Sequence, residues 1–186
     1  MQIRSLKDAD VAGKRVLLRM SLNVPMDSQG RVVDSFRLKR SLPTLEYLAL
    51  RGAKIIIVGY FGRSGETLKP VYDALQSLVP KIPMRFFAGA PEEAGEEAAK
   101  LGEGEALVLE NIRKHPGEEK NDPRLAAALA KLADVYIDDA FAEAHRAYAS
   151  NVGVAGLLPS CAGFLMEEEL AHLVPALTPP AGSIAI

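Results

Sequence analysis

The chain has no tryptophan and a single cysteine, Cys161. One thiol excludes an internal disulfide and any metal site built on several thiolates. Set in the small-residue run "PSCAGF", it reads as a buried small hydrophobe. Neither sign of charge dominates: 22 basic against 24 acidic residues leave a net charge of −2, with no bulk attraction for nucleic acid. No apolar run reaches the roughly 18 residues of a membrane span. The opening "MQIRSLKDAD" has no apolar core of the kind a secretory leader carries. His115, His145 and His172 lack zinc spacing and cysteine neighbours, so surface or hydrogen-bonding roles are expected of them. There is no G-x-x-x-x-G-K-[ST] phosphate loop, and "LGEGEA" precedes a strand and lacks a third glycine, which makes it a turn. No Ser–His–Asp set has supporting context, and the run Glu167–Glu169 reads as a solvated helix face.

What is present is the composition of an ordinary globular protein: 186 residues, 48% apolar and 25% charged, enough for one sizeable core. The expectation is a soluble cytoplasmic protein. Short apolar, β-branched runs alternate with segments of helical period. They predict strands at Val16–Arg19, Lys54–Gly59, Met84–Phe87, Ala106–Glu110 and Val135–Asp138. Helices are predicted at Leu38–Leu50, Pro70–Leu78, Glu92–Leu101, Arg124–Leu132 and Phe164–Leu173. Asp122-Pro123 supplies the fourth of these with an N-cap and a proline at its first position. Continuous rather than alternating apolar strands suit a sheet covered on both faces, and strand–helix alternation predicts a parallel one. "PALTPPAGSIAI" is linker-like, ending in Ser183–Ile186, which reads as the start of a further strand.

Ligands of open parallel sheets bind beyond the carboxyl ends of the strands. "RVLLRMSLNVP" places Arg19, Ser21 and Asn23 at alternate positions after the first strand, with Arg37 ahead of the following helix. "GYFGRSGE" brings Tyr60 and Arg63 with three glycines after the second, "ENIRKHPGEEKND" brings Arg113 after the fourth, and "DDAFAEAHRAYASN" brings Arg146 after the fifth. Four connections thus deliver arginines to one edge. The guanidinium fork matches phosphate or carboxylate oxygens bidentately and stays charged, so convergence on a small polyanion is one reading. The other is that these arginines form structural ion pairs with Glu110, Asp138, Asp139 and Glu143.

In order and spacing these segments, together with "RLKRSLPTLEYL" and "VGVAGLLPSCAGFLMEEEL", resemble the N-terminal domain of phosphoglycerate kinase from about Gly13 to Leu173. The resemblance implies an α/β fold: a three-layer, Rossmann-like domain with a six-stranded parallel sheet and helices on both faces. It implies residues 1–175 as that domain and 176–186 as the start of an interdomain linker or strand, the C-terminal nucleotide domain being absent. The implied function is the acceptor-binding half of a glycolytic kinase that moves a phosphoryl group between 1,3-bisphosphoglycerate/ADP and 3-phosphoglycerate/ATP. Its basic patch maps onto Arg19, Asn23, Arg37, Arg63, Arg113 and Arg146, with Ser21 and Tyr60 at further substrate-facing positions. Arg37 matches the arginine that stabilises the transferring phosphoryl group. Mg2+ and ATP or ADP belong to the family's C-terminal domain, so this chain is expected to hold no metal, to be inactive alone, and to be a monomer partnered by that domain.

The sequence also departs from the family pattern. Where the family reads Arg-Val-Asp-x-Asn, Met20 and Ser21 stand in the middle, and the missing aspartate is the one that accepts from the sugar acid's hydroxyl. Tyr60 replaces a substrate-facing histidine, Lys114 an aromatic, and Ala142-Glu143 the Gly-Thr of "DAFGTAHR". A methyl at Ala142 is expected to crowd a close backbone approach, and a carboxylate at Glu143 to repel the anion or engage Arg146. These departures keep open a second reading, a catalytically incompetent binding or interaction module.

Overall fold

The computed structural model describes residues 4–63 and 65–173. Six strands form one all-parallel sheet: β1 Arg15–Arg19, β2 Lys54–Val58, β3 Met84–Phe87, β4 Ala106–Leu109, β5 Val135–Asp138 and β6 Ser160–Ala162. Their order is β3-β4-β2-β1-β5-β6, so β1 stands in the interior of the sheet. The helices are α1 Phe36–Leu50, α2 Lys69–Leu78, α3 Gly95–Ala99, α4 Pro123–Lys131 and α5 Phe164–Leu173.

The pleat sorts the apolar runs into two cores. Leu17 pairs in register with Ile56 on one side and Tyr136 on the other, and Ile56 with Leu107. This row packs with Ala98 of α3 and Leu125 and Leu129 of α4. The alternate residues Leu18, Ile57, Val108 and Ile137 face Leu38, Leu45, Val71 and Leu75 of α1 and α2. Both faces are therefore covered, which is why the strands carry no polar alternation. The Rossmann-like, three-layer expectation is met.

The predicted elements recur within a residue or two, with two differences. Glu92–Leu101 is not one helix: a 3-10 turn at Pro91–Glu93 precedes the short α3, and Gly95 stands at the break. The sixth strand is Ser160–Ala162, inside the run read only as small residues around a buried thiol. Cys161 is indeed free and buried there. Ser183–Ile186, read as an incipient strand, lies outside the described residues. Asp122 caps α4 as expected, accepting from the Arg124 N–H at 2.8 Å with Pro123 in the first turn.

Two features shape the carboxyl edge. Beyond β2, Gly59 lies so close to β1 that a Cβ there would sit 2.7 Å from the Met20 carbonyl oxygen, so only glycine allows the two chain paths to meet. Beyond β5, Asp139 is fully buried and accepts from the Leu165 and Met166 N–H groups, capping α5. Phe164 N donates to Thr44 Oγ1, Arg40 pairs with Glu168 and Glu169, and Tyr47 meets Phe164 edge-on at 5.1 Å. The Glu167–Glu169 run thus ties α5 to α1 and, through Glu167 and the Leu6 N–H, to the chain's first turn.

Candidate functional site

After β1 the chain keeps its alternation. Met20, Leu22 and Val24 enter the core, while Arg19, Ser21 and Asn23 point the other way. Arg19 is only 1% exposed. Its Nε donates to Ser150 Oγ at 3.2 Å, and Ser150 Oγ in turn donates to Glu118 Oε1 at 2.5 Å. Ser150 N donates to the other oxygen of Glu118, and Nη1 of Arg19 stands 3.9 Å from Asp138 and 3.7 Å from Glu143. Burial pushes the Glu118 and Asp138 carboxyls above their usual values, against the opposing pull of hydrogen bonds and of Arg19. Arg19 is therefore a buried cation beneath the sheet edge, hemmed in by acids, and not an open fork.

The remaining groups are linked above it. Arg37, exposed at the start of α1, donates from Nη1 to the Asn23 carbonyl at 3.2 Å. Asn23 Oδ1 accepts from Gly62 N at 3.1 Å, and Gly62 takes a left-handed φ of 66°. The Gly62 carbonyl accepts from Arg113 Nη1, and the Arg113 guanidinium lies 3.9 Å over the ring of Tyr60. Glu119 pairs with Arg113 at 3.3 Å. Arg146 donates to the Tyr148 hydroxyl, and that bond pushes its pKa up, with smaller electrostatic contributions that include Glu119. Arg37, Asn23, Gly62, Arg113 and Tyr60 thus form one continuous rim, and Arg146, bonded to Tyr148, interacts electrostatically with Tyr60 and Glu119 of the same edge. Arg63 is exposed beside it. Arg37 lines two adjoining cavities, one of about 450 Å³ with Asn23 and Phe36, the other of about 300 Å³ with Ser21, Phe36, Ala142 and Leu165.

Of the acids proposed as structural partners, only Asp138 and Glu143 reach an arginine of the set, and that arginine is Arg19. Glu110 instead accepts from Leu68 N, Asn111 N, Thr67 Oγ1 and Lys114 Nζ. Burial raises its pKa, but these hydrogen bonds outweigh it and leave the carboxyl below its usual value. Asn111, which the sequence reading passed over, is 2% exposed and clamps the loop after β2, donating to the Phe61 and Glu66 carbonyls and accepting from the Phe61 and Arg113 N–H groups. Glu118 and Ser150 were passed over as well. All three lie inside the quoted motifs, yet nothing in their spacing distinguishes them from surface loop residues.

The phosphoglycerate kinase family model matches residues 6–186. The chain belongs to the phosphoglycerate kinase family. It is 49% identical to the phosphoglycerate kinase of Cereibacter sphaeroides, an alignment covering 95% of the chain and 46% of the relative. It is 46% identical to that of Thermus thermophilus, covering 99% of the chain and 48% of the relative. The crystal structure of phosphoglycerate kinase from Pyrococcus horikoshii superposes with a TM-score of 0.86 at 31% identity, over 98% of this chain and 47% of that one. The chain spans about half the length of the curated relatives it matches.

Against that family pattern the departures take definite places. Glu143 is buried and engages Arg19 and Ser21; only its backbone carbonyl meets Arg146, through the Arg146 N–H. The Ala142 methyl is exposed on a cavity wall. Lys114, at an aromatic position of the family, pairs with Glu110 at 2.8 Å. No helix among the described residues is long and apolar enough to cross a membrane.

Proposed function

We propose that this chain is the acceptor-binding half of a phosphoglycerate kinase, taking 3-phosphoglycerate, or 1,3-bisphosphoglycerate in the reverse direction, at the carboxyl edge of its sheet. The observation that carries this reading is the rim running from Arg37 through Asn23 and Gly62 to Arg113, with Arg146 in electrostatic reach of its Tyr60. Its cations come from three separate connections, yet side chains brace it so that charge stays gathered without a ligand. Such preorganisation suits a small, multiply charged anion. Phosphoryl transfer needs positioning and neutralisation more than covalent chemistry. Arg37, exposed at the mouth of both cavities, is the group to meet the transferring phosphoryl oxygens. Arg113 and Arg146, with Arg63 beside them, are assigned the substrate's phosphate and carboxylate. Arg19 acts from below, fixing the loop that carries Ser21 and Asn23.

Mg2+ and ATP or ADP are assigned to the partner nucleotide domain. Among the described residues no group of three or more His, Cys, Asp and Glu is arranged to hold a metal ion. Closure of the second domain over the rim is what would exclude water and bring donor into line with acceptor.

Titrating 3-phosphoglycerate into isotopically labelled chain tests the reading. The expected result is resonance shifts confined to residues 19–25, 36–37, 59–63, 110–114 and 140–147, with affinity falling as salt rises. Absence of any shift at low salt would overturn it. The burial of Arg19 among acids favours a second reading, an interaction module that keeps the fold without the ligand. That reading expects the null titration.

A further inference from the structure

Ser21 lies where the alternation after β1 meets the cavity it shares with Arg37 and Ala142. Its hydroxyl donates to Glu143 Oε2 at 3.1 Å. Glu143 is 2% exposed, held beside Arg19 Nη1 at 3.7 Å, and its own carbonyl accepts from Asn151 Nδ2. A carboxylate offers only acceptors, and a serine hydroxyl owns one proton and two lone pairs. The proton in this contact therefore comes from Ser21. Once it is committed inward, Ser21 Oγ can only accept from whatever enters the cavity.

An acceptor in a cavity that Arg37 and Arg40 also line has a sharp chemical meaning. It repels phosphate and carboxylate oxygens and matches an alcohol O–H. Glycerate phosphate carries a single free alcohol, next to its carboxylate. We infer that Glu143 is a positioning residue that fixes the polarity of Ser21, and that the pair selects an anionic ligand bearing that alcohol. This rests on the reading of the rim as a sugar-acid site.

The same contact accounts for two departures at once. The family pattern has an aspartate at position 21 and a threonine at 143; here a hydroxyl stands at 21 and a carboxylate at 143. The structure joins the two side chains across loops that follow β1 and β5. Carboxylate and hydroxyl have changed places, and the pair keeps one of each.

The test compares two ligands of equal charge, 3-phosphoglycerate and 3-phosphonooxypropanoate, which lacks only the alcohol. Binding is measured by calorimetry at low salt. The wild-type chain is expected to prefer the alcohol-bearing ligand about tenfold, since loss of the donor leaves an unpaired acceptor. Glu143→Gln turns a donor amide toward Ser21 and frees its proton, so the preference is expected to shrink to within about twofold. Ser21→Ala should do the same and stands in if Glu143→Gln fails to fold. The exchanged double variant Ser21→Asp/Glu143→Thr is expected to recover the preference. A purely structural role for Glu143 would change unfolding free energy and leave the ratio of the two affinities intact, which overturns the inference. Equal binding of both ligands by wild type also overturns it while leaving the site reading standing. Failure of wild type to bind either ligand, or inorganic phosphate, removes the site reading and the inference with it.

Discussion

The two edges of the sheet close their loops by different means. At the amino edge Asp134 accepts from the Arg15 N–H, but the glycine turns are closed by main chain: Gly13 N donates to the Gly52 carbonyl, Lys54 N to that of Lys14, and Gly104 N to that of Ala53. Those glycines adopt φ values of 67°, 72° and 78°, and the groove beside them is lined by Ala49, Leu50, Leu78 and Ile82, with Leu50 88% exposed. At the carboxyl edge main-chain bonds such as Ile112 N to the Gly59 carbonyl are joined by many more from side chains. Asn111 clamps the β2 loop, Asn23 the Gly62 N–H, Glu110 the approach to α2, and Asp139 the start of α5. Main-chain closure demands glycine at its left-handed positions and leaves the neighbouring side chains free to vary. Side-chain closure makes each residue specific and holds the loops in one arrangement, which a binding edge requires.

The largest test of this contrast removes the cation at its centre. Arg19→Ala strands the buried carboxylates of Glu118, Asp138 and Glu143, and is expected to cost about 3–5 kcal/mol of stability. Urea unfolding reads it; a loss under 1 kcal/mol would show that the carboxylates do not depend on Arg19. Arg37→Ala is next. The side chain is exposed, so stability should move by less than about 0.5 kcal/mol. Affinity for 3-phosphoglycerate should fall about ten- to a hundredfold, the worth of one charge-assisted contact.

A pH-dependent effect is expected of Asp139, whose carboxyl burial pushes up to about 7 against hydrogen bonds from Thr44 and the α5 backbone. Its folded value exceeds the unfolded value of about 3.9, so the native state binds more protons between the two. This group's contribution to stability is therefore present below pH 4, declines as pH rises toward 7, and levels off above. Asp139→Asn keeps an acceptor for the α5 cap and removes the titration. The stability of wild type relative to this variant should fall across that window, and a difference independent of pH would clear Asp139. The smallest effect belongs to the other edge: Leu50→Lys should change neither stability beyond about 0.5 kcal/mol nor ligand affinity at all. A measurable loss of affinity there would erase the distinction between the edges.

Much of the scaffold could be read ahead of the structure because its signals are local. Apolar runs such as Ile55–Val58 and the Asp122-Pro123 cap announce themselves within a few residues. β6 did not, since three residues of Ser-Cys-Ala carry no period and pairing with Tyr136–Asp138 defines them. At the site, the arginine-bearing loops were legible from strand ends alone. The fate of Arg19 was not, because its partners Ser150 and Glu118 lie far along the chain and only the folded sheet brings them together. Glu143 was expected near Arg146 from sequence proximity. Its turn carries the side chain the other way, into the buried cluster under β1.

The interior position of β1 has a consequence for how the molecule is made. As the ribosome delivers the chain, Arg15–Arg19 finds its first neighbour in Lys54–Val58, but its opposite flank stays bare until Val135–Asp138 emerges. Even the opening turn waits, because Arg4 and Ser5 join the sheet only through Ala162. Such long-range closure is slow and leaves a sticky half-sheet during synthesis. The nascent chain would then be most vulnerable in the stretch of translation between β4 and β6, when one side of the sheet is built and the other has nothing to pair with.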